Sequence, residues 1–155
     1  MPRTKLDRLL EEVKTDHPSI DFISSTSTFS WKSSTSSILY NPNETNAPQL
    51  LLHELGHAIR KHRNYNSDIQ LLRMEREAWL EAQSIAPTYG YSIDEDFVEE
   101  SLDSYRDWIH RKSTCPNCGS NGFQDGDYSY RCPLWQNAWK VNNGIVCRIY
   151  RTKLK

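Results

Sequence analysis

Near the start of the chain the apolar positions recur three and four apart. Leu6, Leu9, Leu10 and Val13 fall on one side of a helix, so residues 4–15 are expected to form a short amphipathic helix. "IDFI" at 20–23 reads as a strand. The Ser- and Thr-rich stretch "SSTSTFSWKSSTSS" at 24–37 has the composition of a flexible linker. Phe29 and Trp31 alternate with polar residues, however, and "SILYN" at 37–41 is β-rich, so strands joined by a turn are expected. "NPNETNAP" then supplies turn residues and a helix start, with Asn46 as N-cap and Pro48 in the first turn. Three longer helices are expected at 47–62, at 67–86 with Ser67 as cap, and at 94–111 with Asp94 as cap. From Thr114 onward the texture changes to turns, aromatics and cysteines. The pattern predicts an α+β fold in two parts: residues 1–112, with a short sheet and three main helices, and residues 113–155, a small separate module.

Charge supports that division. Residues 1–112 carry 13 Lys and Arg against 18 Asp and Glu, a net of −5, while residues 113–155 carry 6 against 2, a net of +4. The formal charge of the whole chain is −1, which argues against a general polyanion binder. No apolar run is long enough to span a membrane. The N-terminal "MPRTKLDRLLEEVKTDHP" is charged throughout and has no signal-peptide core, so a cytoplasmic protein with reduced thiols is expected.

The chemistry concentrates in "LLHELGHAIRKH", residues 51–62. Of only five histidines in the chain, His53 and His57 stand one helical turn apart, with Glu54 between them. On a helix, positions four apart share a face, so the two rings can converge on one ion. Glu54 is turned away by one residue's step and can reach a water held there. Zinc accepts imidazole nitrogen and lowers the pKa of a bound water to about 7. A carboxylate beside that water can take its proton and pass it to a leaving amine. The bland alternative is a buried helix whose histidines are satisfied by hydrogen bonds. The full five-residue pattern in an apolar helix favours the metal.

Catalytic zinc keeps three protein ligands and an open position. The next helix offers "MEREAWLEA", residues 74–82, with Glu75, Glu77 and Glu81. Glu77 and Glu81 are one turn apart, and Glu75 sits on a different face. Spacing alone does not choose between Glu75 and Glu77.

The order HExxH, loop, then Glu on a following helix resembles the gluzincin metallopeptidases. "HELGHAIRKH" with "EREAWLEAQSIAP" looks more like the ImmA/IrrE-type metallopeptidases, which combine HExxH with an E-x-x-A-x-x-x-A helix. Glu75, Ala78 and Ala82 fit that register and Pro87 closes the helix, whereas Trp79 stands where the family usually has Asn. The resemblance covers at most residues 20–90. It implies Glu75 as third zinc ligand, with Glu77 the alternative on a thermolysin-like interval and Glu81 then supporting the site. It also implies a small zincin-like fold in which an edge strand holds extended peptide by β-augmentation, and residues 37–41 are the candidate edge. No DNA-binding helix-turn-helix, which some members carry, is evident.

All four cysteines fall in the last 41 residues: Cys115 and Cys118 in "CPNCG", Cys132 in "YRCPLW" and Cys147 in "GIVCRIY". "CPxCG" resembles the knuckle of a zinc ribbon, in which two thiolates hold one zinc. A second knuckle is incomplete, since Trp135 stands where the partner of Cys132 would be. Cys147 is therefore expected as the fourth ligand of a structural zinc, with His110 the alternative. Such a site would stabilise a module too small to bury a core alone. The basic module also holds Phe123, Tyr128, Tyr130, Trp135 and Trp139. They could stack nucleic-acid bases, but aromatics in so small a ribbon are more often its core, and nucleic acid is not favoured as a partner.

The function expected from these features is a cytoplasmic zinc-dependent endopeptidase acting on protein or peptide, with one catalytic and one structural zinc and no membrane association. His53, His57 and Glu75 would hold the catalytic zinc and Glu54 would be the general base. Tyr65, Tyr105 and His110 are candidate oxyanion donors. The rival reading is a non-catalytic regulatory or nucleic-acid- or protein-binding module on a zincin scaffold with a structural zinc ribbon, which would have no need of a base at Glu54.

Overall fold

The computed structural model describes residues 3–134, 137–142 and the backbone of 151–153. The described residues form an α+β structure of four α-helices and two small sheets. Among them no helix is long and apolar enough to cross a membrane. The chain divides into two compact units, one of Met1–Asn64 with Met74–Val98, the other of Tyr65–Arg73 with Glu99–Lys155. The boundary expected at 112/113 falls inside the second unit.

In the first unit, helix α1 (Lys5–Asp16) buries Leu6, Leu9, Leu10 and Val13, the stripe the sequence marked. A reciprocal capping box starts it: the Asp7 N–H donates to the Thr4 hydroxyl and the Thr4 N–H donates to the Asp7 carboxylate. Strands β1 (Asp21–Ser24), β2 (Ser30–Lys32) and β3 (Ser37–Tyr40) form a sheet in the order β1-β3-β2. β1 runs parallel to β3 and β2 antiparallel to it. The strand expected at the edge, residues 37–41, is therefore the central one. It is the most apolar of the three, with Ile38 fully buried, and a strand buried on both faces gains most from neighbours on both sides. β1 and the short, polar β2 take the two edges instead.

Helix α2 (Ala47–Ile59) is buried almost all round, from Leu51 to Ala58. A helix that is apolar on every side must be enclosed, and α1, β2 and β3 all pack on it. Asn46 precedes it but makes no side-chain capping bond, so only the Pro48 part of the expected start is realised. The helix also ends sooner than expected. Lys61 takes a left-handed conformation (φ 56°), and the chain turns back so that the His62 N–H donates to the His57 carbonyl at 3.0 Å. Helix α3 (Asp68–Ile85) opens with the Gln70 N–H donating to the Ser67 hydroxyl. A 3₁₀ turn at Ala86–Tyr89 follows it and closes at left-handed Gly90. Helix α4 (Glu95–Ser113) opens with the Phe97 N–H donating to Asp94 at 2.8 Å.

The second unit carries an antiparallel sheet of β4 (Phe123–Gly126), β5 (Ser129–Arg131), β6 (Ala138–Val141) and β7 (Arg151–Lys153), in that order. Its apolar cluster contains Cys115, Tyr130, Cys132, Trp139 and Val141. Lys112, at 1% exposure, lies under this sheet. Its ammonium is 2.9 Å from Asp68 and 3.8 Å from the centre of the Trp108 ring. Asp68 also accepts from the Tyr130 hydroxyl, and the Trp139 indole N–H donates to the Lys112 carbonyl. A buried charge is tolerated only when paired and hydrogen-bonded, and here both conditions hold. Asp68→Ala leaves the ammonium buried without its counter-charge and should cost about 3–5 kcal/mol. Urea unfolding followed by tryptophan fluorescence measures this. A loss below about 1 kcal/mol would mean that the pair does not hold the unit together.

Candidate metal centres

Helix α2 places His53 and His57 one turn apart on the face toward α3, and α3 presents Glu75 to both. His53 Nε2 lies 3.0 Å from Glu75 Oε2, His57 Nε2 lies 3.2 Å from Glu75 Oε1, and the two Nε2 atoms are 3.2 Å apart. All three side chains are buried. Zinc bonded to nitrogen and oxygen at about 2.0–2.2 Å in tetrahedral geometry would set its ligand atoms about 3.3 Å apart. One donor atom from each of the three residues lies within 4.8 Å of the others, and two imidazoles with one carboxylate are a donor set that fits a divalent cation.

One close approach makes this possible. A Cβ placed on Gly56 would lie 2.3 Å from the Ala78 carbonyl oxygen of α3. Only glycine allows the two backbones to meet there, and Glu75 stands one turn before Ala78. The motif "HELGH" therefore carries a packing requirement that the metal-ligand pattern alone did not reveal.

Glu54 is buried beside the trio, and its Oε2 accepts from the Trp31 backbone N–H at 2.7 Å. Burial pushes its carboxyl above the usual carboxylate range, although the His53 and His57 rings pull the other way. For Glu75 burial also acts upward, but hydrogen bonds from the His53 and His57 rings outweigh it and hold the carboxyl at about 2. Burial acts downward on His57, and contact with the Glu75 carboxylate raises it overall.

The other glutamates of α3 do different work. Glu77, the alternative third ligand, accepts from or shares a proton with His62 Nε2 at 2.9 Å and is not in the trio. Glu81 forms an exposed pair with Arg60 at 2.8 Å. His62, Trp31 and Trp79 were not foreseen at the site. His62 reaches it because the chain turns at Lys61, which no helical spacing announces. Trp79 stacks on the His53 ring at 4.1 Å, where the resemblance led one to look for Asn. The candidate oxyanion donors Tyr65, Tyr105 and His110 all belong to the second unit.

A second cluster lies in that unit. One sulfur from each of Cys115, Cys118 and Cys132 lies within 4.8 Å of the others, with Cys118 and Cys132 at 3.5 Å. The "CPNCG" turn is closed by the Gly119 N–H donating to the Cys115 carbonyl at 3.0 Å, with Gly119 left-handed (φ 75°). Hydrogen bonds from Ser120, its backbone first and then its hydroxyl, hold the exposed Cys118 thiol at about 7, which favours the thiolate that metals bind. Cys147 lies outside the described residues. His110 is not in the cluster, and its Nδ1 pairs with the Asn121 amide at 3.1 Å. Tyr130 and Trp139 are buried and stacked on each other, whereas Phe123 and Tyr128 are exposed. Trp135 is also outside the described residues.

No family model, curated protein or solved structure matches this chain.

Single alanine substitutions at the three glutamates separate their roles. Glu75→Ala should abolish metal at the histidine site in a chelator titration. Glu77→Ala should weaken it by about 10–100-fold, and Glu81→Ala should match wild type. If Glu77→Ala were the weakest binder with Glu75→Ala near wild type, the ligand set would be wrong. Gly56→Ala should force α2 and α3 apart, costing about 1–3 kcal/mol and loosening the same metal. Thermal unfolding and metal content check it, and unchanged values in both would show that the helices can move apart freely.

Proposed function

We infer that the chain is a zinc-dependent endopeptidase of zincin type. The observation that carries this reading is the convergence of His53, His57 and Glu75, with the Glu54 carboxylate beside them. A purely structural metal site would have no use for a buried carboxylate next to its donors. The resemblance of "HELGH" and "EREAWLEA" to ImmA/IrrE-type gluzincins points the same way.

When bound, zinc supplies a Lewis acid that polarises a scissile carbonyl and lowers the pKa of water to about 7. The rest falls to the chain's own residues. Glu54 is held by the Trp31 N–H at one oxygen, which orients the carboxylate and leaves the other oxygen to take a proton. Its raised proton affinity suits a general base that must later hand that proton to a departing amine. The edge strand β2 suits an extended peptide. Trp31 is paired with Ile38 but sends its N–H to Glu54, away from β3. In an antiparallel strand a residue's N–H and C=O share a side, so the Trp31 carbonyl also faces off the sheet, where a substrate strand can donate to it.

The cysteine cluster belongs to the same reading as a structural zinc site, with Cys115, Cys118 and Cys132 as ligands and Cys147 supplying the fourth. A site filled by four thiolates keeps no open position and performs no chemistry.

Glu54→Gln tests the proposal. The substitution keeps size and removes the proton acceptor. Zinc content and folding should persist while cleavage of a generic peptide library falls by about 10²–10⁴. A zinc-loaded wild type that cuts no peptide, or a Gln variant that cuts as fast as wild type, would sink the peptidase reading or the role of Glu54, respectively.

A further inference from the structure

His57 has a second ring nitrogen, and the structure gives it an unusual partner. His57 Nδ1 lies 2.9 Å from Nδ1 of His62, and His62 Nε2 lies 2.9 Å from Glu77 Oε2. His62 is buried, while the Glu77 side chain is 38% exposed. We propose that His62 and Glu77 are positioning residues that fix the ring and the tautomer of His57 for a metal, Glu77 acting only through His62. The proposal rests on the metal site of the reading above and not on its peptidase activity.

The proton arrangement follows by elimination. For His57 Nε2 to offer a lone pair beside Glu75 and His53, the ring proton must sit on Nδ1. It then donates to His62 Nδ1, which must be bare. The His62 proton is therefore on Nε2 and donates to the Glu77 carboxylate. With a metal taking the His57 Nε2 lone pair, every nitrogen of these two rings and one Glu77 oxygen are satisfied in this one assignment, with both rings neutral. A carboxylate or carbonyl commonly supports a metal-binding imidazole directly. Here a second imidazole carries that support from a glutamate on the surface to a ligand in the interior.

His62 is itself held firmly enough for the task. Its N–H donates to the His57 carbonyl at 3.0 Å, and its carbonyl accepts from the Trp31 indole N–H at 2.9 Å. The Trp31 that holds Glu54 by its backbone thus also holds the residue behind His57. The other histidine offers a contrast within the same site. Among the described residues His53 Nδ1 is buried without a hydrogen-bond partner, and its ring is stacked on Trp79 with planes 26° apart. Stacking fixes the plane of a ring but not its tautomer. The hydrogen-bonded chain fixes both, so the tautomer of the site depends on His62.

The test uses the full chain loaded with zinc and reads long-range proton–nitrogen correlations of the imidazole rings alongside a chelator titration followed through the same resonances. Wild type should show His57 protonated at Nδ1. His62→Ala should lower zinc affinity at the histidine site by about 10–100-fold and shift or exchange-broaden that Nδ1 proton, leaving the His53 ring signals in place. Glu77→Ala should lower affinity in the same direction, and Glu77→Gln, whose amide oxygen still accepts from His62, should recover most of it. The proposal is overturned if zinc-loaded His62→Ala keeps affinity within about twofold of wild type, or if its affinity falls with the His57 proton unmoved. If His62→Ala does not fold, the Glu77 pair decides alone: equal affinities for the Ala and Gln variants overturn the proposal, and recovery by Gln supports it. A wild type that holds zinc and cuts nothing would remove the peptidase reading and leave this result standing.

Discussion

Everything at the first candidate centre depends on the approach of α2 to α3 at Gly56. The Ala78 carbonyl occupies the space where any other residue would carry a Cβ. That contact sets the distance between the helices, and the distance sets whether Glu75 can meet His53 and His57 together. One carboxylate oxygen of Glu75 lies 3.0 Å from His53, the other lies 3.2 Å from His57, and the two rings are 3.2 Å apart. Forcing the helices apart there would loosen the arrangement, because packed interiors relax little around an extra methyl group. The packing of two apolar helices and the chemistry of three polar side chains are therefore one constraint.

The same enclosure gives two neighbouring carboxylates opposite properties. Burial raises the proton affinity of both. Glu75 accepts from two imidazoles and stays ionised, whereas Glu54 has one backbone N–H and moves the other way. Divergent environments for two like groups in one cavity are a recurrent way of assigning them different jobs. In this chain the difference arises from which element faces each one, α2 for Glu75 and β2 for Glu54.

The second unit solves a different problem. Among its described residues, the apolar cluster on the sheet is small, with Tyr130, Trp139, Val141 and two cysteines, and a buried lysine is paired with an aspartate. Desolvating Lys112 and Asp68 offsets much of their attraction, so losing one partner costs more than the pair as a whole contributes. The three cysteine sulfurs lie close enough together to hold a metal ion, which would cross-link the segments that carry them.

The sequence by itself determined the local features. Periodicity located α1, α3 and α4 to within a residue or two, because apolar stripes and the caps at Ser67 and Asp94 act over one helical turn. It also determined that His53 and His57 share a face, since that follows from helix geometry alone. It left Glu75 and Glu77 undecided, because the two residues sit about 200° apart on one helix and only the partner helix chooses a face. The tertiary structure decided that Glu75 faces the histidines and that Glu77 faces His62. It also placed β3 in the centre of the sheet with β1 and β2 at its edges, an ordering that depends on which strands pair and not on which comes next in sequence. His62, Trp31 and Gly56 took on their roles only there, for a common reason. Each acts on a residue that no helical or strand period relates to it, and such contacts exist only once the chain has closed on itself.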